Sequence, residues 1–420
     1  MEDYQIYELS NGIRLIHKQV THTKIAHCGF ILDIGSRDEK PHQQGIAHFW
    51  EHMAFKGTQK RKSFHILNRL ESVGGELNAY TTKEKICFHA SLLDNHFEKA
   101  FELLTDITFD SIFPEKQIEK ERQVILEEMS MYYDSPEENI QDEFDNVIFE
   151  NHTLGNNILG TQESVKSFKK EDFKNFIAEN LNTSKVIFSS VGSFPFSKVK
   201  ALAEKYLSHI PKFSAVTERK SFTIYNPKRI TKTRELTQAQ CAIGRTAYHL
   251  THDKRLPFFM LLNILGGPGM NSRLNLSLRE KYGLVYAIES NYTPYIDTGF
   301  MGIFFGTDPS QLNKSISLIE KELKQLCEKK LGIVQLHAAK EQLMGQMAMA
   351  EESNVSFMLM MGKSLLDIDR IESLTEIFDE IKKTTASDLQ HIANEIFIAD
   401  EMSVLSYLPV EKKGNGKNKK

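Results

Sequence analysis

The chain repeats itself at an offset of 216 residues. The strand-like run KIAHCGFILD, which starts at Lys24, has a counterpart in QCAIGRTAYH, which starts at Gln240. The helical stretch VKSFKKEDFKNFIAENL matches IKKTTASDLQHIANEIF at the same offset, so that Asp172 and Asp388 in their first turns coincide. A β-rich segment follows each stretch. A repeat of this size predicts two copies of one α+β domain, because solenoid repeats are much shorter.

The repeat also sets the expected domain boundaries. Within each half, strand-like runs alternate with long amphipathic helices. Two such helical stripes correspond to each other: Phe97, Phe101, Leu104 and Ile107 in the first half, and Leu312, Ile316, Ile319 and Leu323 in the second. We predict an N-terminal domain over residues 1–212, a linker over 213–235, a C-terminal domain over 236–412 and a basic tail over 413–420. The linker contains Pro227 and many Lys, Arg and Thr residues.

Composition narrows the class of protein. Of 420 residues, 40% are hydrophobic and 26% are charged, which excludes disordered, collagen-like and membrane-spanning classes. No apolar run approaches the ~20 residues of a transmembrane helix. The net charge of −4 is too close to zero to favour nucleic acid as a partner. We therefore expect neither a membrane partner nor a nucleic-acid partner.

The cysteines and the N-terminus indicate the compartment. The four cysteines, Cys28, Cys87, Cys241 and Cys327, lie far apart and form no CxxC pair, so we expect buried free thiols in a reducing environment. The first residues, MEDYQIYELSNG, have neither the basic nor the apolar region of a signal peptide. These two features predict a cytoplasmic protein.

The pentad HFWEH at residues 48–52 carries the strongest chemical signal. On a helix, positions i, i+3 and i+4 share one face, so His48, Glu51 and His52 point the same way. Two imidazoles four residues apart suit a zinc ion, and the carboxylate between them can accept a proton from the attacking water. The order His-x-x-Glu-His occurs in a class of zinc peptidases. Trp50 is off this face, so we expect it to pack in the core.

The second half does not repeat this pentad. At the offset of the repeat, its three metal-facing positions correspond to Ile264, Gly267 and Pro268. These side chains offer no metal ligand. We therefore expect one metal site per chain.

A catalytic zinc site needs a third protein ligand, and the helical stretch PEKQIEKERQVILEEMSM from Pro114 offers candidates. Glu121 and Glu128 are seven residues apart, so they share a helix face, and Glu127 lies about 100° away from Glu128. One glutamate could reach the metal while another supports a ligand histidine. The spacing does not separate Glu127 from Glu128.

The motifs together resemble the pitrilysin or insulinase family of metallopeptidases (family M16), the inverzincins. The resemblance rests on GIAHFWEHMAFKGT from Gly45, ESVGGELNAYTTKE from Glu71, EKERQVILEEM from Glu119 and SRLNLSLREKYGLVYAIES from Ser272. Chain length and the two-domain plan are similar to the dimeric subfamily related to mitochondrial processing peptidase. The resemblance implies two tandem homologous α+β domains, each a mostly antiparallel sheet packed with helices, that form a clam-shell chamber.

The resemblance also implies roles for individual residues. In the first half, His48, His52 and Glu128 match the zinc ligands, Glu51 matches the general base, and Glu121 matches an assisting glutamate. Asn78 and Ala79 match an edge strand that pairs with extended substrate.

In the second half, the resemblance assigns Arg279 and Tyr286 to substrate contact and to polarisation of the scissile carbonyl. A local alignment of the two halves places Tyr286 opposite Asn78, so we expect the two residues on equivalent strands.

The sequence thus favours a zinc metalloendopeptidase that acts as a homodimer on unfolded peptides bound in a chamber. Two alternatives stay open: a non-catalytic assembly partner of the same family, and a processing peptidase of narrow specificity.

Overall fold

The computed structural model describes residues 4–410. The basic tail predicted over 413–420 lies outside these residues. The strands are β1 Tyr4–Glu8, β2 Arg14–Gln19, β3 Ile25–Leu32, β4 Glu76–Thr81, β5 Ile86–Leu93, β6 Val186–Gly192, β7 Arg229–Arg234, β8 Ala239–Ala247, β9 Val285–Pro294, β10 Gly299–Thr307 and β11 Ser403–Pro409.

The α-helices lie between these strands in the sequence, several of them in consecutive runs. They are α1 Ile46–Ala54, α2 Ser63–Glu71, α3 Phe97–Phe109, α4 Glu115–Tyr133, α5 Pro136–Ile148, α6 Gln162–Ser167, α7 Lys170–Asn180, α8 Phe196–Leu207, α9 Arg255–Gly266, α10 Leu312–Glu328, α11 Ile333–Glu351, α12 Asn354–Ile368, α13 Leu374–Lys383 and α14 Ala386–Ile396. A π-helical turn spans Asn275–Lys281. Both predicted amphipathic stripes lie on helices, one on α3 and the other on α10. In the part of the chain described, no helix combines the length and the apolar character needed to cross a bilayer.

The strands form two sheets of the same plan. The first sheet has the order β1-β2-β6-β3-β5-β4, and the second has the order β7-β11-β8-β10-β9. In each sheet one pair is parallel, β2 with β6 and β7 with β11, and the remaining pairs are antiparallel. Strand by strand the second sheet copies the first, except that β1 has no counterpart among residues 4–410. The predicted α+β class and the mostly antiparallel sheets are confirmed.

The repeat extends to a helix cap. Asp172 and Asp388 both lie in the first turn of a helix, as predicted. Asp172 accepts a hydrogen bond of 2.7 Å from the backbone N–H of Lys169, and Asp388 accepts one of 2.8 Å from that of Thr385. A carboxylate at this position satisfies an N–H group that the helix leaves unpaired. The same local solution therefore occurs at equivalent places in both halves.

The structure divides into two compact units that exchange segments between the halves. The first unit comprises residues 4–130, His152–Lys220 and Gly345–Ile377, and the second comprises Met131–Asn151, Ser221–Met344 and 378–410. The limit at Lys220 and Ser221 falls inside the predicted linker. The predicted boundaries were drawn for contiguous domains and stay a prediction. The exchange of segments was not foreseen.

The exchanged segment of the first unit carries α12, which covers one face of the first sheet. Met358 and Met361 of α12 are fully buried and pack in one cluster with Ile31 and Ile187 of the sheet. The Ser189 hydroxyl of β6 donates a hydrogen bond of 2.6 Å to the Met358 carbonyl. Helix α3 packs on the same sheet, where the Phe101 ring lies 4.3 Å from that of Phe188. Every residue of β6 is buried, because the strand is central in this sheet.

The second unit receives α5 from the first half of the chain. The Phe144 ring on α5 lies 5.9 Å from Phe300 and 6.0 Å from Phe304 on β10. The Tyr407 hydroxyl of β11 donates a hydrogen bond of 2.9 Å to Asn139 of α5. Helices α5 and α12 occupy nearly equivalent places in the sequence repeat. Each sheet is thus completed by a helix that the other half supplies.

All four cysteines are unpaired, as expected. Cys28, Cys87 and Cys241 are buried, but Cys327 is only half-buried, so the prediction of burial was wrong for that residue. Burial raises the pKa of the Cys87 and Cys241 thiols to about 12. These two thiols therefore stay protonated near neutral pH and are poor nucleophiles.

Candidate metal centre

Helix α1 places His48, Glu51 and His52 on one face, as the spacing predicted. The opposite face is apolar, and Phe49 and Trp50 on it are fully buried. Trp50 is in the core, where its ring lies 6.3 Å from that of Phe88. This packing fixes the rotation of α1 about its axis. The polar face is consequently turned toward α4.

Glu128 of α4 completes a group of three potential metal ligands. Its Oε2 lies 3.8 Å from Nε2 of His48 and 3.6 Å from Nε2 of His52. Among residues 4–410 this is the one group of three or more such side chains whose ligand atoms lie within 4.8 Å of one another. Two ligands at about 2.1 Å from a tetrahedral zinc ion are about 3.4 Å apart. The distances from Glu128 to the two histidines are slightly longer than this value. Two imidazole nitrogens and one carboxylate oxygen are a donor set found in catalytic zinc sites.

The geometry distinguishes the two adjacent glutamates of α4. Glu128 is half-buried and faces the histidines, whereas Glu127 is exposed. One residue along a helix is a rotation of about 100°, so only one of the two side chains can reach the group. The arrangement therefore favours Glu128, which is also the residue that the family resemblance implies.

His48 is held in the form that binds a metal. Burial, and to a smaller extent the neighbouring His52, lower the pKa of His48 to about 3. The ring is therefore neutral near pH 7, as a metal ligand must be. Its Nδ1 is buried and has no hydrogen-bond partner within the described part of the chain.

Glu121 supports the second histidine. Its Oε2 is 3.3 Å from Nδ1 of His52, and its Oε1 is 2.6 Å from Nζ of Lys56. Burial raises the pKa of Glu121, but the hydrogen bonds with His52 and Lys56 outweigh burial, so that the pKa is lowered overall. A carboxylate on Nδ1 orients the ring and directs Nε2 toward Glu128. This contact is consistent with the assisting role that the family resemblance implies for Glu121.

Strand β4 orients the side chain of Glu51. The hydroxyl of Thr81, at the end of β4, donates a hydrogen bond of 2.6 Å to Oε2 of Glu51. Burial raises the pKa of Glu51, while the hydrogen bond from Thr81 lowers it and burial prevails. A carboxyl group with a raised pKa is suited to accept and return a proton near neutral pH.

Strand β4 forms one edge of the first sheet, as the resemblance implied for Asn78 and Ala79. Successive side chains alternate between the two faces of the strand. Ala79 packs against the main core of the first unit and shares its face with Thr81. Asn78 is exposed on the other face. Within residues 4–410 the strand pairs only with β5, so its outer backbone groups are open to an added strand.

Arg279 and Tyr286 lie together in the second unit. The Arg279 guanidinium carbon is 5.7 Å from the centre of the Tyr286 ring. Tyr286 is 85% exposed, and both residues line a cavity of about 490 Å³. Tyr286 is on β9, which is an edge strand of its sheet, as β4 is in the first sheet. The expectation that Tyr286 and Asn78 occupy equivalent strands is therefore met.

Two contacts of the site were not predicted from the sequence. Thr81 follows Ala79 by two residues and so shares its face, but nothing in the sequence placed that face against Glu51. Lys56 lies four residues after His52, one helical turn further on, and could have been found as a partner of Glu121.

Comparison with known families matches most of the chain. Residues 14–162 match the family described as Insulinase (Peptidase family M16). Residues 167–343 match the family described as Peptidase M16 inactive domain. The first match contains the three potential ligands and Glu51, and the second contains Arg279 and Tyr286.

Relatives of similar length occur in bacteria and in mitochondria. The chain is 31% identical to the uncharacterized zinc protease YmxG of Bacillus subtilis, over 94% of this chain and 96% of that protein. It is 28% identical to the beta subunit of the mitochondrial-processing peptidase of Saccharomyces cerevisiae, over 92% of this chain and 87% of the subunit.

Solved structures share the fold. A peptidase M16 inactive domain from Pseudomonas fluorescens superposes with a TM-score of 0.90 at 18% identity, over 97% of this chain and 98% of that one. A protease from Helicobacter pylori superposes with a TM-score of 0.87 at 20% identity, over 97% of this chain and all of that one. At these identities the structures establish the fold alone.

Proposed function

The chain belongs to the insulinase family of peptidases (family M16), and on that premise we propose that it is a zinc-dependent endopeptidase that cleaves extended, unfolded peptide segments. The single observation that carries the proposal is the convergence of His48, His52 and Glu128, with Glu51 one helical turn from His48 on the same face. Two neutral nitrogens and one carboxylate are the donor set that zinc takes in hydrolases.

The chain's own residues supply the proton chemistry. Zinc bound to His48, His52 and Glu128 would supply Lewis acidity, which lowers the pKa of water and polarises a carbonyl. Glu51 accepts the proton of the attacking water and delivers it to the leaving amine. The raised pKa of Glu51 suits both halves of this transfer.

Substrate contacts come from the two edge strands. The outer edge of β4, at Asn78 and Ala79, pairs with extended peptide backbone by strand addition. Arg279 and Tyr286 contact the substrate, and the Tyr286 hydroxyl donates to the scissile carbonyl oxygen. The exposure of Tyr286 and the adjoining cavity support this assignment.

The proposal includes a cytoplasmic homodimer that encloses the substrate in a chamber. The four unpaired cysteines support a reducing compartment. A non-catalytic role is not favoured, because the chain carries a full set of candidate ligands together with a base.

The test is cleavage of a peptide library by the purified chain, with mass-spectrometric readout and a parallel zinc measurement. We expect one zinc ion per chain, cleavage of unfolded peptides, loss of activity with a chelator and recovery on adding zinc. A zinc-loaded chain that cleaves no peptide would overturn the proposal. Light scattering of the same sample tests the homodimer.

A further inference from the structure

A short loop at residues 35–39 touches both elements that build the candidate site. On one side it meets the start of helix α1, and on the other it meets the turn at residues 82–85 between β4 and β5. Both contacts lie within the first unit. The loop contains no ligand and no proposed catalytic group, so its role is not covered by the mechanism above.

Glu39 caps helix α1 from six residues before its N-cap. Its Oε2 accepts a hydrogen bond of 2.9 Å from the N–H of Gly45, and its Oε1 accepts one of 2.9 Å from the N–H of Ala47. Gly45 is the N-cap and has φ +91°, and its missing side chain provides no cap. A carboxylate here satisfies unpaired N–H groups and interacts favourably with the positive end of the helix dipole.

The Glu39 carboxylate is sealed from solvent. The residue is 3% exposed. Burial raises the pKa of Glu39, and the N–H groups of Ala47 and Gly45 and the charge of Lys83 oppose that rise. Lys83 belongs to the β4–β5 turn and is itself buried. The Glu39 carboxylate therefore interacts both with the N–H groups of α1 and with the positive charge of that turn. Loss of this buried carboxylate would leave buried N–H groups without a hydrogen-bond acceptor, which costs free energy of folding.

The rest of the loop holds the turn. The N–H of Ser36 donates to the Thr82 carbonyl at 3.1 Å, and the N–H of Arg37 donates to the Lys83 carbonyl at 2.7 Å. A Cβ on Gly35 would lie 2.4 Å from the Lys83 carbonyl oxygen, so only glycine permits this approach. The Arg37 guanidinium also forms a buried ion pair with Glu84.

These contacts close a ring around the site. Glu39 binds the start of α1, Glu51 of α1 binds Thr81 at the end of β4, and the following turn binds the loop that contains Glu39. We propose that Glu39 is a positioning residue, which fixes where α1 sits against β4 and thereby aligns Glu51 and the two histidines with the substrate strand. The inference rests on the peptidase activity proposed above.

Glu39→Gln is the sharpest test, because it keeps the size of the side chain. It replaces one carboxylate oxygen with an NH₂ group, which then faces a backbone N–H donor. The start of α1 is expected to shift, since one of the two hydrogen bonds is lost. Asp106→Asn is the matched control: Asp106 is also a buried carboxylate of the first unit, but it binds Thr58 and Arg61 in the loop after the C-terminal end of α1, not the N-terminal end that Glu39 caps.

Three measurements are made on both zinc-loaded variants: kcat and KM on a peptide substrate, unfolding in urea followed through Trp50, and the visible spectrum after replacing zinc with Co²⁺. For E39Q we expect kcat to fall by about 10- to 100-fold, with KM changed less than about twofold and the cobalt spectrum altered. For D106N we expect a loss of stability with wild-type kcat and spectrum.

Two results would overturn the positioning role: a folded E39Q with wild-type kcat and cobalt spectrum, or losses of kcat in E39Q and D106N that scale with their losses of stability. If E39Q does not fold, Glu39→Asp takes its place. It keeps the charge and shortens the reach by about 1.5 Å, one C–C bond. If the wild-type enzyme cleaves no peptide, the proposed function fails, and the cobalt spectra still decide the role of Glu39.

Discussion

The Thr81 hydroxyl donates a hydrogen bond of 2.6 Å to Glu51, which joins the end of the edge strand β4 to the proposed general base. The contact connects two elements that are 30 residues apart in the sequence. Its geometry directs one carboxylate oxygen, Oε2, toward the strand, and in the proposed mechanism the other oxygen would receive the proton of the attacking water.

Removal of this hydroxyl is predicted to slow catalysis without unfolding the protein. Hydrogen bonds to charged groups contribute about 1.5–3 kcal/mol. We therefore expect Thr81→Val to lower kcat by roughly 10- to 100-fold, with KM little changed. Thr81→Ser keeps the hydroxyl and should stay within a few-fold of wild type. Equal kcat values for T81V and T81S would show that the Thr81 hydroxyl does not assist Glu51.

Glu51→Gln is predicted to keep zinc and lose hydrolysis. The amide cannot accept the proton of the attacking water, and general base catalysis contributes about 10²- to 10⁴-fold. Zinc content by elemental analysis should match wild type, while kcat falls by a factor in that range. A zinc-loaded E51Q that cleaves peptide at the wild-type rate would show that Glu51 is not the base.

The adjacent glutamates of α4 provide a matched pair for the metal site. Glu128→Gln removes the carboxylate that lies 3.6 Å from His52, so we expect zinc affinity to fall by at least 10-fold in a chelator competition assay. Glu127→Gln changes an exposed side chain one residue away and should bind zinc as wild type does. The opposite pattern would assign the ligand to Glu127.

His17 is predicted to make the first unit less stable in mild acid. Burial lowers its pKa, although hydrogen bonds with Phe194 and Ser190 oppose the shift. The unfolded chain, with the ordinary His pKa of about 6.5, therefore binds a proton that the folded state does not. The contribution of neutral His17 to the free energy of unfolding is therefore complete above pH ~6.5 and is lost as the pH falls below that value.

The measurement is urea unfolding at pH 8 and pH 5, followed by fluorescence of Trp50, the single tryptophan, which lies in the first unit. Wild type should lose more unfolding free energy between these pH values than His17→Gln does, because the variant has no proton to take up at this site. An equal loss in both proteins would exclude His17 as a contributor.

The exchanged helices predict that the first half of the chain does not fold by itself. A fragment of residues 1–220 contains the first sheet but lacks α12, which leaves the apolar face around Ile31 and Ile187 uncovered. We expect this fragment to aggregate or bind a hydrophobic dye, and a peptide of residues 345–377 to restore solubility when added. A monomeric fragment with cooperative unfolding would contradict this expectation.

The sequence predicted the parts of the fold and site that depend on local spacing. The offset between Asp172 and Asp388 revealed the repeat, and the pentad at residues 48–52 placed its polar residues on one helix face. Those relations follow from helix periodicity, which the chain itself encodes. The choice of Glu128 over Glu127 depends on the rotation of α4, which tertiary packing sets.

Other relations were beyond the sequence. The apolar pattern of α12 shows that the helix is buried but not which sheet it covers, so the exchange of segments was missed. Glu39 and Thr81 act through contacts with elements that are distant in the sequence or lie across loops. Such contacts depend on how α1, β4 and the loop at residues 35–39 pack together. This packing cannot be read from the spacing of residues in the sequence.

The exchange of helices α5 and α12 between the two halves of the chain has a consequence for biosynthesis. A ribosome releases the chain from the N-terminus, and domains generally fold as units as they emerge. Here the first sheet is made early, but the helix that covers one of its faces, Asn354–Ile368, is translated only after strands β7 to β10 of the second sheet. Until then the nascent chain exposes an apolar sheet face, which is the kind of surface that aggregates or that chaperones protect. The candidate metal centre belongs to the same unit, so this unit is completed only after most strands of the second sheet have been made.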